Sequence, residues 1–310
     1  MPIINSDTAS ERLLKSNHKG ARGELGGRLI VTLCALIMIV ATVSIASFLT
    51  IKGLQSFVVD SVDPFEFLTG TDWNPTNADN PKYGAFPFIF GSLAVTCLSA
   101  LIATPLGIGG AIFMTEIAPS WGKKILQPVI ELLVGIPSVV YGFIGLTVLV
   151  PTIRNVFDGA SAGFSLLAGT IVLSVMILPT ITTIATDAMG ELPNDLREGS
   201  YALGATRWQT IRRVLIPAAL PSLMTAVVLG MARAFGEALA VQMVIGNVRD
   251  LPASLLDPSA TLTTIITLNM GHTTYGGIEN NTLWSMGLVL LVISFLFILV
   301  VRHLSSRRKI

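Results

Sequence analysis

Glu198-Gly199-Ser200-Tyr201-Ala202-Leu203-Gly204, closed ten residues on by Val214-Leu215-Ile216-Pro217, forms a polar insert between two long apolar segments. Its local chemistry predicts a helix-turn-helix hairpin. Pro193 suits the first turn of a short helix, while Asp195 and Glu198 have the spacing of a capping box that would begin it one step later. Gly204 ends that helix, because glycine enters the left-handed C′ conformation without steric cost. Thr206 and Gln209, three apart, read as the capping box of a second helix carrying Trp208, Ile211, Arg212 and Arg213. Pro217 and Pro221 mark where the chain turns back into apolar territory. A capped hairpin of this size is either a well-closed loop or a lever on which another protein docks.

The rest of the chain sets the hairpin in lipid. Of 310 residues, 52% are hydrophobic and 13% charged, and the mean hydropathy is +0.71, too apolar for an ordinary soluble domain. Apolar runs long enough to span a bilayer fall at 29–51, 87–115, 125–150, 165–186, 219–246 and 283–301. The expectation is an all-α, polytopic membrane bundle of six transmembrane helices. Residues 1–27 would form a polar, mobile tail, 28–303 the membrane domain, and 304–310 a basic tail. Within the domain, 52–86 is a long loop on one side and 190–217 the hairpin loop on the other. The first run exceeds the short core of a cleavable signal peptide and reads as a retained span.

Charge placement orients the bundle. Arg12, Lys15, Lys19, Arg22 and Arg28 precede the first span, and Lys123 and Lys124 lie between the second and third. Arg197, Arg207, Arg212 and Arg213 are in the hairpin, and Arg302, Arg307, Arg308 and Lys309 follow the last span. The opposite loops carry only Lys52, Lys82, Arg154 and Arg249. Both termini and the hairpin therefore face the cytoplasm by the positive-inside rule. On the other side, 52–86 is rich in turn formers and in Asp60, Asp63, Glu66, Asp72 and Asp79, and reads as a solvated cap or docking surface. Residues 258–270 read as a short helix at the outer surface, either a lid on the bundle or a contact for an extracytoplasmic partner.

Several chemistries are disfavoured. Cys34 and Cys97 fall inside spans without metal-ligand spacing and read as small packing residues. His18, His272 and His303 are scattered at polar edges, against a haem or di-metal site. No Gly-x-x-x-x-Gly-Lys-Ser/Thr loop is present for ATP, and no basic stripe with interleaved aromatics for nucleic acid. Gly135-Ile136-Pro137-Ser138 offers a serine without a nearby histidine base, and reads as a helix bend.

Function is sought among the intramembrane charges. Counted from Pro221, Arg233 lies about 18 Å along its helix, near mid-membrane. Glu237 follows at i+4, where the two side chains can pair. An arginine at that depth costs on the order of 3 kcal/mol and should face protein or a water-filled cavity. Its planar donor fork suits phosphate oxygens, and an ion pair that merely holds the bundle together is the plainer reading. Glu131 is placed to pair across helices, and Asp187 at the cytoplasmic rim. Thr96, Ser138, Thr170, Ser174 and Thr180 offer hydroxyls for a path or for packing. Pro105, Pro137, Pro151 and Pro179, with Gly107-Ile108-Gly109-Gly110, imply bent spans.

The hairpin resembles the EAA loop of ATP-binding-cassette (ABC) importer permeases. Glu198 takes the Glu place, Gly199 and Ser200 the two small places, Gly204 the Gly place, and Val214, Ile216 and Pro217 the ending. Gly-Ser stands where that family has Ala-Ala, and Val and Ile where it has Ile and Leu. The run from Arg233 to Val241 and Met243-Val244-Ile245-Gly246-Asn247 is similar to the PstC-type permeases of high-affinity phosphate importers. So are Tyr83 to Pro87 with Gly91-Ser92-Leu93, Thr115 to Pro119, and Glu131 to Gly142. Ala238 stands where that family commonly has Thr.

The resemblance implies the MetI-like fold of type I ABC importers, in a bacterial cytoplasmic membrane. It implies a non-catalytic permease that binds no cofactor, with ATP and Mg on a partner ATPase. The implied partners are a homologous second permease (PstA-like), a dimer of ATP-binding subunits (PstB-like) and an extracytoplasmic phosphate-binding protein (PstS-like). In this reading Glu198, Gly199, Ser200, Gly204, Ile216 and Pro217 couple to the ATPase, while Arg233 and Glu237 lie on the phosphate path or form an intramembrane ion pair. The alternatives are a permease for another oxyanion (phosphonate, sulfate or molybdate), an ion-coupled secondary transporter, which leaves the hairpin unexplained, and a membrane enzyme, which lacks a nucleophile or metal constellation.

Overall fold

The computed structural model describes residues 6–77, 80–157 and 162–306, with side-chain surroundings from 27 to 299. Asp79, Arg307, Arg308 and Lys309 lie outside the described residues. Among the described residues, six helices are long and apolar enough to cross a membrane: Gly27–Val58, Phe86–Ile117, Ser138–Val156, Leu166–Gly190, Arg207–Phe235 and Ile278–Leu299. The chain divides into two compact units, Met1–Lys52 and Gly53–Ile310.

The first unit is carried by α1 (Ser6–Val58). The helix reaches back through most of the stretch expected as an unstructured tail. No proline interrupts residues 6–26, and Ala9, Glu11, Arg12, Leu13, Leu14 and Lys15 are strong helix formers. Cys34, expected to pack, is exposed on this helix, and Cys97 is likewise exposed in the second unit. A thiol is apolar enough to face outward from a span.

In the second unit, α3 (Phe86–Ile112), α7 (Leu166–Gly190) and α10 (Ile216–Phe235) form the centre, and α13 (Ile278–Ser306) packs on α10. Small residues allow the close approach: an added Cβ at Gly107 or at Gly230 would meet Ile181. Such packing replaces the hydrophobic drive that lipid does not supply. Ser99 Oγ donates to Thr170 O (2.9 Å), and Ser174 Oγ donates to Thr170 O (2.6 Å). Thr96, Thr170 and Ser174 are buried where α3 meets α7, and Thr170 Oγ1 has no hydrogen-bond partner among the described residues.

At one end of this unit, the cap end, α2 (Pro64–Thr69) and a two-stranded antiparallel sheet, β1 (Trp73–Asn74) with β2 (Lys82–Tyr83), pack an apolar core around Phe67, Trp73 and Phe88. The loop expected over 52–86 is thus a folded cap. The segment expected as a surface helix is α12 (Leu262–Asn269), opened by a Thr261–Thr264 capping box. Leu262 and Ile265 are buried, and the Leu262 N–H donates to Ser92 Oγ on α3 (2.9 Å). That is the seating of a lid. Its approach depends on Gly91, where a Cβ would run into the Ala260 carbonyl. Gly91→Val is expected to cost about 2 kcal/mol through overpacking, read as a lower unfolding temperature in detergent.

Prolines shape the helices in one repeated way. Phe113–Ile117, Gly145–Leu149 and Ile211–Leu215 are π-helical turns, and each is followed by one residue and then Pro119, Pro151 or Pro217. In each case the residue before the proline donates to the carbonyl five back: Ala118 to Phe113, Val150 to Gly145, and Ile216 to Ile211. A proline ring collides with the carbonyl four residues back, and the wider turn moves that carbonyl aside. Pro217 therefore does not turn the chain, contrary to the sequence expectation. The helix runs unbroken from Arg207 to Phe235.

Two expected spans are instead discontinuous. The run 125–150 divides into α4 (Ser120–Gly135) and α5 (Ser138–Ile144), which continues through the π turn into α6 (Val150–Val156). Ile136 and Pro137 are extended between them, as a residue preceding proline prefers. Tyr141 stitches the break, its hydroxyl donating to the Leu133 carbonyl in the last turn of α4 (2.8 Å). The run 219–246 is helical only to Phe235; beyond Gly236 lie the short α11 (Leu239–Gln242) and irregular chain.

Candidate functional site: a coupling hairpin and a polar break in the fifth span

The hairpin is closed by local bonds. Its first helix, α8 (Asn194–Ala202), begins immediately after Pro193, with no side-chain cap, so the Asp195–Glu198 capping box does not form. Gly204 at φ +78° ends it in a Schellman motif: the Gly204 N–H donates to Tyr201 O (2.9 Å) and the Ala205 N–H to Ser200 O (3.2 Å). The second helix opens at α9 (Arg207–Thr210), and the Thr206–Gln209 capping box is formed in both directions. Ser200 Oγ and Thr210 Oγ1, both buried, share a hydrogen bond of 2.9 Å that ties the two arms. The serine adds a bond that an alanine in that place would lack.

The outer surface of the hairpin is apolar at its tip. Leu203 is 89% exposed and Trp208 61%, with Tyr201 also exposed beside them. Glu198 and Gly199 are exposed on α8, and an added Cβ at Gly199 meets nothing within 4 Å. Ile216 and Pro217 sit at the start of α10, away from the tip. Three large apolar side chains on an otherwise polar loop mark an interaction surface.

The root of the hairpin is held by a residue whose role was not apparent from its position in the chain. Arg197 Nη2 meets Glu116 Oε1 at 2.7 Å, and its Nε donates to both carboxylate oxygens at 3.2 and 3.4 Å. The same guanidinium donates to the carbonyls of Leu192 (3.0 Å) and Met189 (3.1 Å) and to Asn194 Oδ1 (3.4 Å). All five of its N–H donors are engaged. Glu116 is 7% exposed, in the π turn that ends the second span.

Arg233 is placed differently. It lies in the last turn of α10, where a cation offsets the helix's negative end. Its Nη1 donates to Thr180 Oγ1 on α7 (2.8 Å). Thr180 is about 21 Å from the cap end of α7 and about 15 Å from its hairpin end at 1.5 Å per residue, so Arg233 sits near mid-span. Tyr141 of α5 is within its electrostatic reach. Among the described residues that is its one hydrogen bond, which leaves four of the guanidinium's N–H donors on a half-buried side chain.

The ion pair expected with Glu237 does not form among the described residues. The i+4 spacing requires a continuous helix, and α10 ends at Phe235 with Gly236 as its cap. Glu237 turns away and its Oε1 accepts from the Ala240 N–H (3.0 Å), capping α11. Its own carbonyl accepts from Thr263 Oγ1 of the lid (2.9 Å). Past α11 the chain climbs to the cap end as irregular backbone that is cross-bonded to its neighbours. The Ser165 N–H donates to Val244 O (3.3 Å) and the Ser259 N–H to Ile245 O (3.0 Å). Gly246, at φ +99°, makes the turn against Pro258 that this pairing needs. Irregular backbone at such depth is tolerated where protein buries it or a cavity borders it, and interrupted helices of this kind frame transporter binding sites.

Glu131 and Asp187, placed separately by sequence, come together with Met114, Gln127, Ile130, Thr183 and Thr186 around a small cavity of about 80 Å³ between α4 and α7. It opens beside a larger one of about 430 Å³ whose lining includes Lys123 and Glu191. Glu131 accepts from Gln127 Nε2 on its own helix (3.0 Å), rather than pairing across helices.

Comparison with known proteins agrees with this architecture. The chain is 75% identical over 303 residues to the probable ABC transporter permease protein YqgH of Bacillus subtilis, covering 98% of this chain and 97% of that one. It is 37% identical to the phosphate transport system permease protein PstC of Mesorhizobium japonicum, covering 78% and 79%. With the PstC of Xylella fastidiosa it shares 32% identity over 93% and 92%. Among solved structures, a bacterial alginate ABC transporter superposes with a TM-score of 0.62 at 17% identity, over 96% of this chain and 98% of that one. The inward-facing MetNI methionine ABC transporter does so with 0.56 at 21% identity, over 71% and 94%. The fold is that of type I ABC importer permeases. Residues 103–310 match the family described as the binding-protein-dependent transport system inner membrane component, and the chain belongs to that family.

Proposed function

We propose that this chain is the PstC-type permease subunit of an ABC importer, carrying inorganic phosphate across the bacterial cytoplasmic membrane. Its termini and hairpin face the cytoplasm, and the folded cap and α12 face outward toward a phosphate-binding protein. A PstA-like second permease completes the membrane pair. Two PstB-like ATPase subunits, which bind the ATP and Mg, sit beneath the pair, and one of them receives the exposed tip around Glu198, Tyr201, Leu203 and Trp208. The chain itself carries out no chemistry and holds no cofactor.

The observation that carries the substrate reading is Arg233: mid-span, half-buried, at a break in the helix, with one donor held by Thr180. A phosphate oxygen pair matches the geometry of the donors that remain. A single arginine without a full ligand shell also suits transport, because a path must bind weakly enough to release. Glu237 does not neutralise it by direct pairing, so the weakness of the site comes from how few groups converge on it.

The test is uptake of labelled phosphate into proteoliposomes holding the whole complex and its binding protein. Excess unlabelled phosphate is expected to suppress uptake, and equal sulfate, molybdate or methylphosphonate to leave it unchanged. Suppression by one of those oxyanions instead would reassign the substrate.

A further inference from the structure

The connection between α7 and the hairpin is short and open. Glu191, Leu192 and Pro193 separate Gly190, at the end of the fourth span, from α8, and Glu191 and Pro193 are exposed. An added Cβ at Gly190 meets nothing within 4 Å. Such a connector is a natural pivot. A push on the hairpin tip would rotate α8 about it and be absorbed there, unless something bridges the pivot. The second arm needs no such bridge, since it is the same unbroken helix as the fifth span.

Arg197 is that bridge. It stands on α8, beyond the pivot, and its guanidinium reaches back to the Met189 and Leu192 carbonyls on either side of Gly190. Its fork on Glu116 adds a second attachment, to the π turn ending the second span. That turn is itself anchored: Pro119 leaves the Thr115 carbonyl without its helical partner, and Lys123 Nζ of α4 donates to it (3.0 Å). One side chain therefore locks the first arm to the fourth span, the second span and, through Lys123, the start of α4. Planar, fully bonded and largely buried, a guanidinium holds an angle that a flexible ammonium cannot.

We infer that Arg197, forked on Glu116, is the positioning residue that makes the hairpin a rigid lever and delivers ATPase movement to the second and fourth spans. This rests on the importer reading above. Removing one partner alone leaves a buried charge uncompensated and endangers folding, whereas replacing both together is tolerated far better. The decisive variant is therefore Arg197→Leu combined with Glu116→Leu, beside Arg197→Lys and wild type.

The measurement is phosphate moved per ATP hydrolysed, in proteoliposomes containing the co-purified complex and its binding protein. The double variant is expected to keep binding-protein-stimulated hydrolysis while phosphate per ATP falls about five-fold or more, the size of one coupling element. Arg197→Lys, where it assembles, is expected to fall between the two. A wild-type ratio in the double variant overturns the inference. So does uptake falling in proportion to hydrolysis, since a merely structural residue lowers both together. A wild-type complex that moves phosphate without ATP would overturn the importer reading, and this inference with it.

Discussion

Glu198→Lys is expected to abolish transport while leaving the permease folded. The carboxylate is exposed in the middle of α8, away from the bonds that close the hairpin, and those bonds do not include it. A surface substitution of this kind changes stability by no more than about 0.5 kcal/mol. Its effect falls on the contact that the hairpin makes. Placing a cation where a partner surface is built to receive a carboxylate costs several kcal/mol through like-charge apposition. A loss of about 3 kcal/mol, roughly 100-fold in apparent affinity, is expected for the ATPase subunits. Co-purification of those subunits reads the loss directly, and an unchanged melting temperature of the permease shows that its fold survives. If the subunits were retained and ATP-driven uptake continued, the hairpin would not be the docking lever.

Arg233→Gln is expected to have a comparable effect by another route. In the proposed role the guanidinium contacts an anion in a partly buried site, and its removal loses a charged hydrogen bond worth about 1.5–3 kcal/mol. Phosphate uptake is expected to fall about 10- to 100-fold in kcat/KM, with ATPase docking intact. Glu237→Gln makes the informative contrast. Glutamine retains the oxygen that accepts from the Ala240 N–H, and no ion pair with Arg233 is lost among the described residues. Uptake is therefore expected to stay within about three-fold of wild type, less than the 1 kcal/mol of a single neutral hydrogen bond. Equal, large losses in both variants would show that the two charges act as a pair during transport.

The contrast between these residues shows what sequence can reveal in a membrane chain. The hairpin was legible because caps are local: Gly204 and the Thr206–Gln209 box act on backbone groups within three residues of themselves. The number of spans was legible because lipid demands length and apolarity. The breaks were not, since hydropathy over a window reports the solvent a segment prefers and not its backbone path. Ile136–Pro137 lies within a run apolar enough to be read as one span, and the charge at Glu237 does not take 219–246 out of the same reading. Gly236, directly after a residue run that includes Arg233, was the available signal that the fifth helix stops before Glu237. Likewise, prolines announced distorted helix, but only the structure shows that Pro119, Pro151 and Pro217 each follow a π turn while Pro105 and Pro179 sit within α-helix. The Arg197–Glu116 fork joins residues 81 apart in the chain, and no spacing rule reaches that far.

Function inherits this division. The lever is encoded locally and the gate globally. In the proposed importer, a hairpin whose second arm is the fifth span would carry movement straight to the last turn of α10, where Arg233 meets Thr180. Few groups converge there among the described residues, and the helix is already interrupted, so in the proposed role a small displacement would suffice to make or withdraw an anion contact.

The most direct test of this account is uptake of labelled phosphate by proteoliposomes containing this chain with its second permease and ATPase subunits, supplied with binding protein outside. Mg-ATP sealed inside is expected to drive accumulation that persists when ion gradients are collapsed by ionophores, and none is expected with a non-hydrolysable analogue. Accumulation that required an ion gradient and was indifferent to ATP would contradict the account.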